Sequence, residues 1–284
     1  MYKFSRNLFY KLNPRLRFLL FYLRHPFRLF YLLKAKLFLA TSNRKIIYIV
    51  SFPKSGSTLL ENLIEFSNKF IIPPFVGDFN FNLKHELSEN SYDYLFHDIN
   101  LLIKNHINPS IGNVKILRKY GIKRIVVMVR DPRSMVVSNI KYVLKKSLWN
   151  RGYELYDGFE KKTPSEQLSF TELHFHSKFT DWHDGWRNLN NEFKLLFISY
   201  EQLLSNPAKL LKKIYSFYDL NIDDIEIENA IANVLFCESN KSKRLSRSTY
   251  LPDDLDHEIL SYRNREKTVF SNYIKKYKDE YVWE

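Results

Sequence analysis

The sequence contains one cysteine, seven glycines and no long apolar run. The lone Cys237 excludes an internal disulfide and any thiolate metal cluster. It suits a reducing compartment, and the expected location is cytoplasmic. Seven glycines in 284 residues leave little room for a glycine-rich phosphate motif. The most apolar segment, 16–39, is broken by Arg17, Arg24, His25, Pro26, Arg28, Lys34 and Lys36, and its longest uninterrupted run is Phe18 to Leu23. A membrane-spanning helix needs about 20 nearly uninterrupted apolar residues. A secretory signal needs a longer apolar centre and a small-residue cleavage site. Neither is expected here. Carboxylates are also in deficit, with 31 Asp and Glu against 44 Lys and Arg. The resulting net charge of +13 points to acidic partners, whether nucleotides, nucleic acid, anionic lipid or anionic glycans.

Apolar residues make up 45% of the chain and aromatics 16%, so it is globular rather than disordered. Two regions are expected: a basic N-terminal segment, 1–41, and a folded domain, 42–284. The first is aromatic, amphipathic and bent at Pro26. Such a segment lies on an anionic membrane surface as a peripheral contact, or it packs on the protein or on another subunit.

From residue 46 onward, short apolar runs alternate with helical patterns. Strands are predicted over 46–50, 100–104, 123–129 and 194–199, the last three closed by polar or proline-bearing stretches. Helices are predicted over 58–69, 113–120, 134–146, 165–191 with a break at Gly185, 206–218, 223–236 and 255–277; 149–163 and 238–254 read as loops. This order gives the fold class α/β, a parallel β-sheet flanked by helices on both faces. In such sheets ligands bind beyond the carboxyl ends of the strands. Residues 51–57, 105–109, 130–138 and 199–201 all fall there.

The stretch from Ser51 to Thr58 carries the chemistry. A strand that feeds a helix through Pro53, Lys54, Ser55, Gly56, Ser57 and Thr58 aims backbone N–H groups and a helix N-terminus at one point, which attracts an oxyanion. Lys54 adds charge and the hydroxyls add donors. An ATP-binding P-loop would read GxxxxGK[ST]. Here Lys54 precedes Gly56 and the first glycine is missing. The next strand end carries Arg130 and Asp131, and Asp131 before Pro132 reads as a helix cap rather than a magnesium ligand. The site is therefore expected to grip phosphate with protein charges and no metal.

Phe52-Pro53-Lys54-Ser55-Gly56-Ser57-Thr58 resembles the 5′-phosphosulfate loop of sulfotransferases that use 3′-phosphoadenosine 5′-phosphosulfate (PAPS). Arg130 to Ser138 resembles the 3′-phosphate motif of that family, in which an Arg and a Ser eight residues later hold the 3′-phosphate. Leu102 to Pro109 resembles the Lys-Thr-His segment whose His is the general base, and Tyr200-Glu201 matches a recurrent Tyr-Glu element. The resemblance covers residues 45–220. It implies a P-loop-NTPase-like sulfotransferase fold, PAPS as donor and its desulfated product PAP. It further implies in-line transfer of a sulfuryl group to a hydroxyl or amine on a glycan, lipid or small molecule. Lys54 would neutralise the leaving oxygen, Lys104 would stabilise the transferring group and His106 would take the acceptor's proton. Arg130 would bind the 3′-phosphate, and Ser138 would hold that phosphate or Lys54. Rivals for the base are His97, His85 and Glu86.

Three departures from the family pattern stand out. Leu59 and Leu60 occupy positions where many members carry an adenine-stacking aromatic. Asn105 replaces the family Thr. The stretch from Cys237 to Tyr250 has no glycine, and Lys241, Lys243, Arg244 and Arg247 there form either a mobile basic flap over the 3′-phosphate or a solvated run. Trp182 and Trp186, at helical spacing, are expected in the core. The reading from another class is a nucleic-acid or membrane-surface binding protein on an inactive nucleotide-binding fold. The basic residues are spread along the chain and form no recognition module, so nucleic acid is not the expected partner.

Overall fold

The computed structural model describes residues 45–67, 70, 72, 86–87, 100–148, 154–245, 259, 261–262 and 268–281, with the backbone alone described over 236–245. The N-terminal segment 1–41, His85, His97 and Arg247 lie outside the described residues.

Four parallel strands form the sheet among the described residues. They are β1 (Ile46–Ser51), β2 (Leu101–Asn105), β3 (Arg124–Val129) and β4 (Lys194–Ser199), in the order β2-β1-β3-β4. β1 is central and pairs with β2 through Ile49↔Lys104 and with β3 through Val50↔Val127. Each strand's side chains alternate between two apolar layers. Tyr48, Val50, Ile103, Val127 and Val129 face one layer with Trp182 and Trp186, while Ile47, Ile49, Leu102, Val126 and Met128 face the other. Burial of such side chains contributes roughly 1.5–3 kcal/mol each. β4 is less buried than its apolar sequence suggests, because Leu195, Leu196 and Phe197 are only half-buried.

The helices are α1 (Ser57–Phe66), α2 (Ile111–Lys119), α3 (Pro132–Lys146), α4 (Pro164–Arg187), α5 (Tyr200–Ser205), α6 (Pro207–Phe217), α7 (Asp224–Leu245) and α8 (Ser271–Lys276). None of the described helices is long and apolar enough to cross a membrane. The expected break at Gly185 does not occur, and α4 runs through it. The glycine is there for packing, since a Cβ at this position would come within 2.5 Å of Pro109 Cγ. α5 was not expected. It starts on a capping box in which Ser199 Oγ accepts from Gln202 N–H and Gln202 Oε1 accepts from Ser199 N–H. The 238–254 stretch is not all loop, because α7 continues to Leu245. The closing helix is interrupted by a turn at Val269 and Phe270 before α8 begins.

The winding of this sheet selects one crevice. From β1 the chain crosses to β2 on one side, and from β3 it crosses to β4 on the other. The carboxyl ends of β1 and β3 therefore flank the point where the connections diverge, which is where open α/β sheets bind ligands.

Candidate active site

The loop after β1 is shaped by two left-handed residues, Lys54 at φ 74° and Gly56 at φ 81°. A non-glycine residue pays about 1–2 kcal/mol for this conformation, and alternation of this kind turns successive N–H groups into a concave anion nest. The loop is closed by Ser55 N–H donating to the Phe52 carbonyl at 3.2 Å. Gly56 is the N-cap of α1 and supplies no capping side chain. Within the first turn of α1, Leu59 N–H donates to the Gly56 carbonyl at 3.0 Å, and the Ser57 and Thr58 N–H groups precede it at the helix start, where an anion is favoured. Ser55 and Ser57 are buried, with Ser55 Oγ 3.3 Å from Met135 Sδ of α3, while Thr58 is exposed. Pro53 is half-buried beside Phe52, whose ring packs edge-on against Phe175, Phe179 and Trp182 of α4.

The Lys54 side chain crosses to α3, where its Nζ lies 3.2 Å from the centroid of the Tyr142 ring. Burial, reinforced by the nearby charge of Lys146, lowers its pKa from 10.5 to about 8. Ser138 is half-buried one turn before Tyr142 and so lies on the same face of α3. No hydrogen bond links Lys54 to Ser138.

Arg130 sits between β3 and α3. Its guanidinium carbon is 4.3 Å over the Tyr200 ring, and Nη1 donates to the Lys54 carbonyl at 3.4 Å. Its Nε is buried and has no hydrogen-bond partner. A buried donor without a partner costs about 1–3 kcal/mol. Tyr200 also covers Gly56, where a Cβ would fall 2.2 Å from Tyr200 Cδ2. One ring therefore joins both loops. Asp131 is a cap, as its sequence context suggests: it accepts from Arg133 N–H at 2.8 Å and pairs with the Arg133 guanidinium at 2.5 Å. The buried Glu201 carboxylate accepts from Asp131 N–H at 3.0 Å, and burial raises its pKa.

His106 directly follows β2. Its Nδ1 is 2.8 Å from the Ser51 carbonyl and 3.1 Å from Ser51 Oγ. A carbonyl only accepts, so the neutral ring carries its proton on Nδ1 and presents Nε2 as the basic nitrogen. α4 clamps the adjoining backbone: Trp182 Nε1 donates to the Ile107 carbonyl at 2.8 Å, and Gly185 admits Pro109. Asn105 points to the opposite face and donates to Tyr48 Oη at 2.7 Å, so the change from the family Thr is absorbed in the core. Lys104 shares the face of His106. Its Nζ pairs with Glu61 at 2.6 Å and reaches Thr58 Oγ1 at 3.2 Å, at the start of α1. Glu86 accepts from Ser110 Oγ at 2.8 Å. Lys243 and Arg244 belong to the last turn of α7 rather than to a loop.

Three participants were not recognised from sequence. Tyr142, four residues after Ser138, was available from helical spacing alone. The link from Glu201 to Asp131 and the clamp from Trp182 are tertiary. Among the described residues no group of three or more His, Cys, Asp or Glu side chains is placed to hold a metal.

Fold and site together define an α/β domain with two linked loops at the divergence point of a parallel sheet. Comparison with known proteins gives the class a name. The Sulfotransferase domain family matches residues 44–277, and the chain belongs to that family. Mouse sulfotransferase 1B1 is 25% identical over 229 residues, covering 74% of this chain and 71% of its own. Human sulfotransferase 2A1 is 24% identical over 137 residues, 46% of this chain and 43% of its own. With the dog sulfotransferase 1A1, matched over 52% of its length at 20% identity, the aligned part spans about half of these relatives. Among solved structures, mouse sulfotransferase SULT7A1 complexed with PAP superposes with a TM-score of 0.51 at 18% identity, covering 84% of this chain and 90% of that one.

Proposed function

We propose that the chain transfers a sulfuryl group from PAPS to a hydroxyl or amine acceptor. One observation carries the reading. The Lys54 loop and the Arg130 loop are bound to each other, by the Arg130 bond to the Lys54 carbonyl and by the shared Tyr200 ring. Two linked anion grips suit a ligand with a phosphosulfate at one end and a 3′-phosphate at the other. The partnerless Nε of Arg130 and the uncapped start of α1 fit the same ligand.

In this reading the α1 nest and Ser57 take the 5′ end. Arg130 and Ser138 take the 3′-phosphate, with Lys243 and Arg244 from the end of α7. The donor supplies an activated S–O bond. As that bond breaks, Lys54 neutralises the bridging oxygen; as the new S–O or S–N bond forms, Nε2 of His106 takes the acceptor's proton. Lys104, positioned by Glu61, supplies a second cation at the first turn of α1. An imidazole is the side chain most often used to take a proton in such transfers. Water exclusion and alignment supply the remainder of the rate.

The test is transfer of labelled sulfate from PAPS to a panel of glycans, lipids, phenols and amines. His106→Ala is expected to lower turnover by about a hundredfold or more while PAP binding is kept. Retained turnover moves the base to Glu86 or His97. PAP binding with no transfer to any acceptor favours an inactive binding protein on the same fold.

A further inference from the structure

The amino ends of the four strands form the pole opposite the Lys54 and Arg130 loops. A shallow depression of about 310 Å³ opens there, lined by Lys45, Gly121, Lys123, Arg124, Tyr218 and Asp219. Lys194 stands beside it as the register partner of Arg124. Asp219 is paired with Arg124 at 2.5 Å and Glu192 with Arg118, and of the carboxylates that open α7 just beyond, Asp224 is paired with Lys212 at 2.6 Å and Asp223 accepts from Ile225 N–H. Lys45, Lys123 and Lys194 make no ion pair among the described residues. The cations bear on one point: Arg124 above all, then Lys45 and Lys194, hold the Asp219 carboxyl below the usual range. Lys123 and Lys194 are exposed and Lys45 is half-buried. These side chains rim an open hollow and do not enclose it, which suits a plane of phosphates better than a single engulfed ligand.

Chain connectivity adds a second observation. Lys45 is the last residue before β1, so residues 1–44 join the domain at this pole. No Asp or Glu occurs in the sequence before Glu61. The sequence leading into Lys45 is therefore basic with no acidic residue.

We propose that the amino pole of the sheet is the face on which this protein docks to an anionic bilayer, with Lys45, Lys123 and Lys194 meeting lipid phosphates. A strand of six residues spans about 20 Å. Docking at this pole holds the Lys54 loop roughly that far above the phosphates, facing solution. Acceptor groups carried on a glycan or a soluble molecule reach such a site, whereas lipid headgroups of the same leaflet do not.

The test is flotation of the full chain with vesicles of phosphatidylglycerol mixed with phosphatidylcholine, against vesicles of phosphatidylcholine alone. Wild type is expected to bind only the anionic vesicles. A triple Lys45→Gln, Lys123→Gln, Lys194→Gln variant leaves the arginine pairs intact. At about one kcal/mol for each basic residue near an anionic surface, it should bind about a hundredfold more weakly. Its affinity for PAP should not change, which also verifies its fold. Equal vesicle binding by variant and wild type would overturn the proposal. So would equal binding of wild type to both vesicle types, or full release from anionic vesicles by millimolar inorganic phosphate, which would mark a pocket for a free anion.

Discussion

Gly56→Ala tests the contact that joins the two loops. Two costs are separable. The first is backbone: φ at Gly56 is +81°, and a Cβ in that region costs about 1–2 kcal/mol. The second is overlap. The added Cβ would lie 2.2 Å from Tyr200 Cδ2 and 2.6 Å from Cε2, well inside the carbon–carbon optimum of about 3.5–4.0 Å. The ring must move by an ångström or more, and Arg130, stacked 4.3 Å above it, loses its platform. Overpacking of this kind costs roughly 1–3 kcal/mol. Gly121 is an internal control. Its φ is +71° and nothing lies within 4 Å of the position its Cβ would take, so Gly121→Ala carries only the backbone cost. Urea denaturation of both variants, with PAP calorimetry in parallel, separates the terms. Gly56→Ala should be less stable than Gly121→Ala by about 1–3 kcal/mol and should bind PAP at least about tenfold more weakly. Gly121→Ala should bind PAP as wild type does. Equal stability and equal PAP affinity for the two variants would refute the role given to Tyr200.

Other consequences are as direct. Lys54 titrates at about 8 in the fold, against 10.5 for an unperturbed lysine. The unfolded chain therefore holds the extra proton between those values, and the fold gains stability as pH rises through that window. An anion favours the ammonium, so PAP binding just above pH 8 should take up a proton. Calorimetry in buffers of different ionisation enthalpy should show this uptake in wild type and not in Lys54→Arg; identical heats in all buffers would contradict it. Trp182→Phe removes the donor to the Ile107 carbonyl, which leaves a buried acceptor at a cost of about 1–3 kcal/mol. Turnover should fall while PAP affinity holds, and a parallel loss of both would assign Trp182 a purely structural role. Glu201→Ala frees the Asp131 peptide next to Arg130. The preference for PAP over adenosine 5′-monophosphate should shrink, and Glu201→Gln should restore it. An unchanged preference in Glu201→Ala would remove Glu201 from the 3′ end.

The sheet was legible because each strand is a short apolar run with clear stops, as strands of covered parallel sheets are. The Lys54 loop and Arg130 were legible because their residue types follow those strands at once. What could not be read was tertiary. Gly185 looks like a helix breaker until Pro109 is seen packed against it. α5 was signalled by Ser199 and Gln202 at capping-box spacing, a local cue that the adjoining Tyr200-Glu201 pair overshadowed. The stretch after Phe236 is polar and basic, yet α7 persists through it to Leu245. Lys54 resting on Tyr142, and Glu201 holding Asp131, join residues 70 or more positions apart and leave no periodic trace.

The central claim is that the Lys54 and Arg130 loops make one nucleotide site. Isothermal titration of PAP into wild type, Lys54→Ala and Arg130→Ala measures it most directly. Each side chain makes a charge-assisted contact of about 1.5–3 kcal/mol, so each variant should bind PAP roughly tenfold to a hundredfold more weakly than wild type. Equally weak binding by wild type and both variants would contradict it.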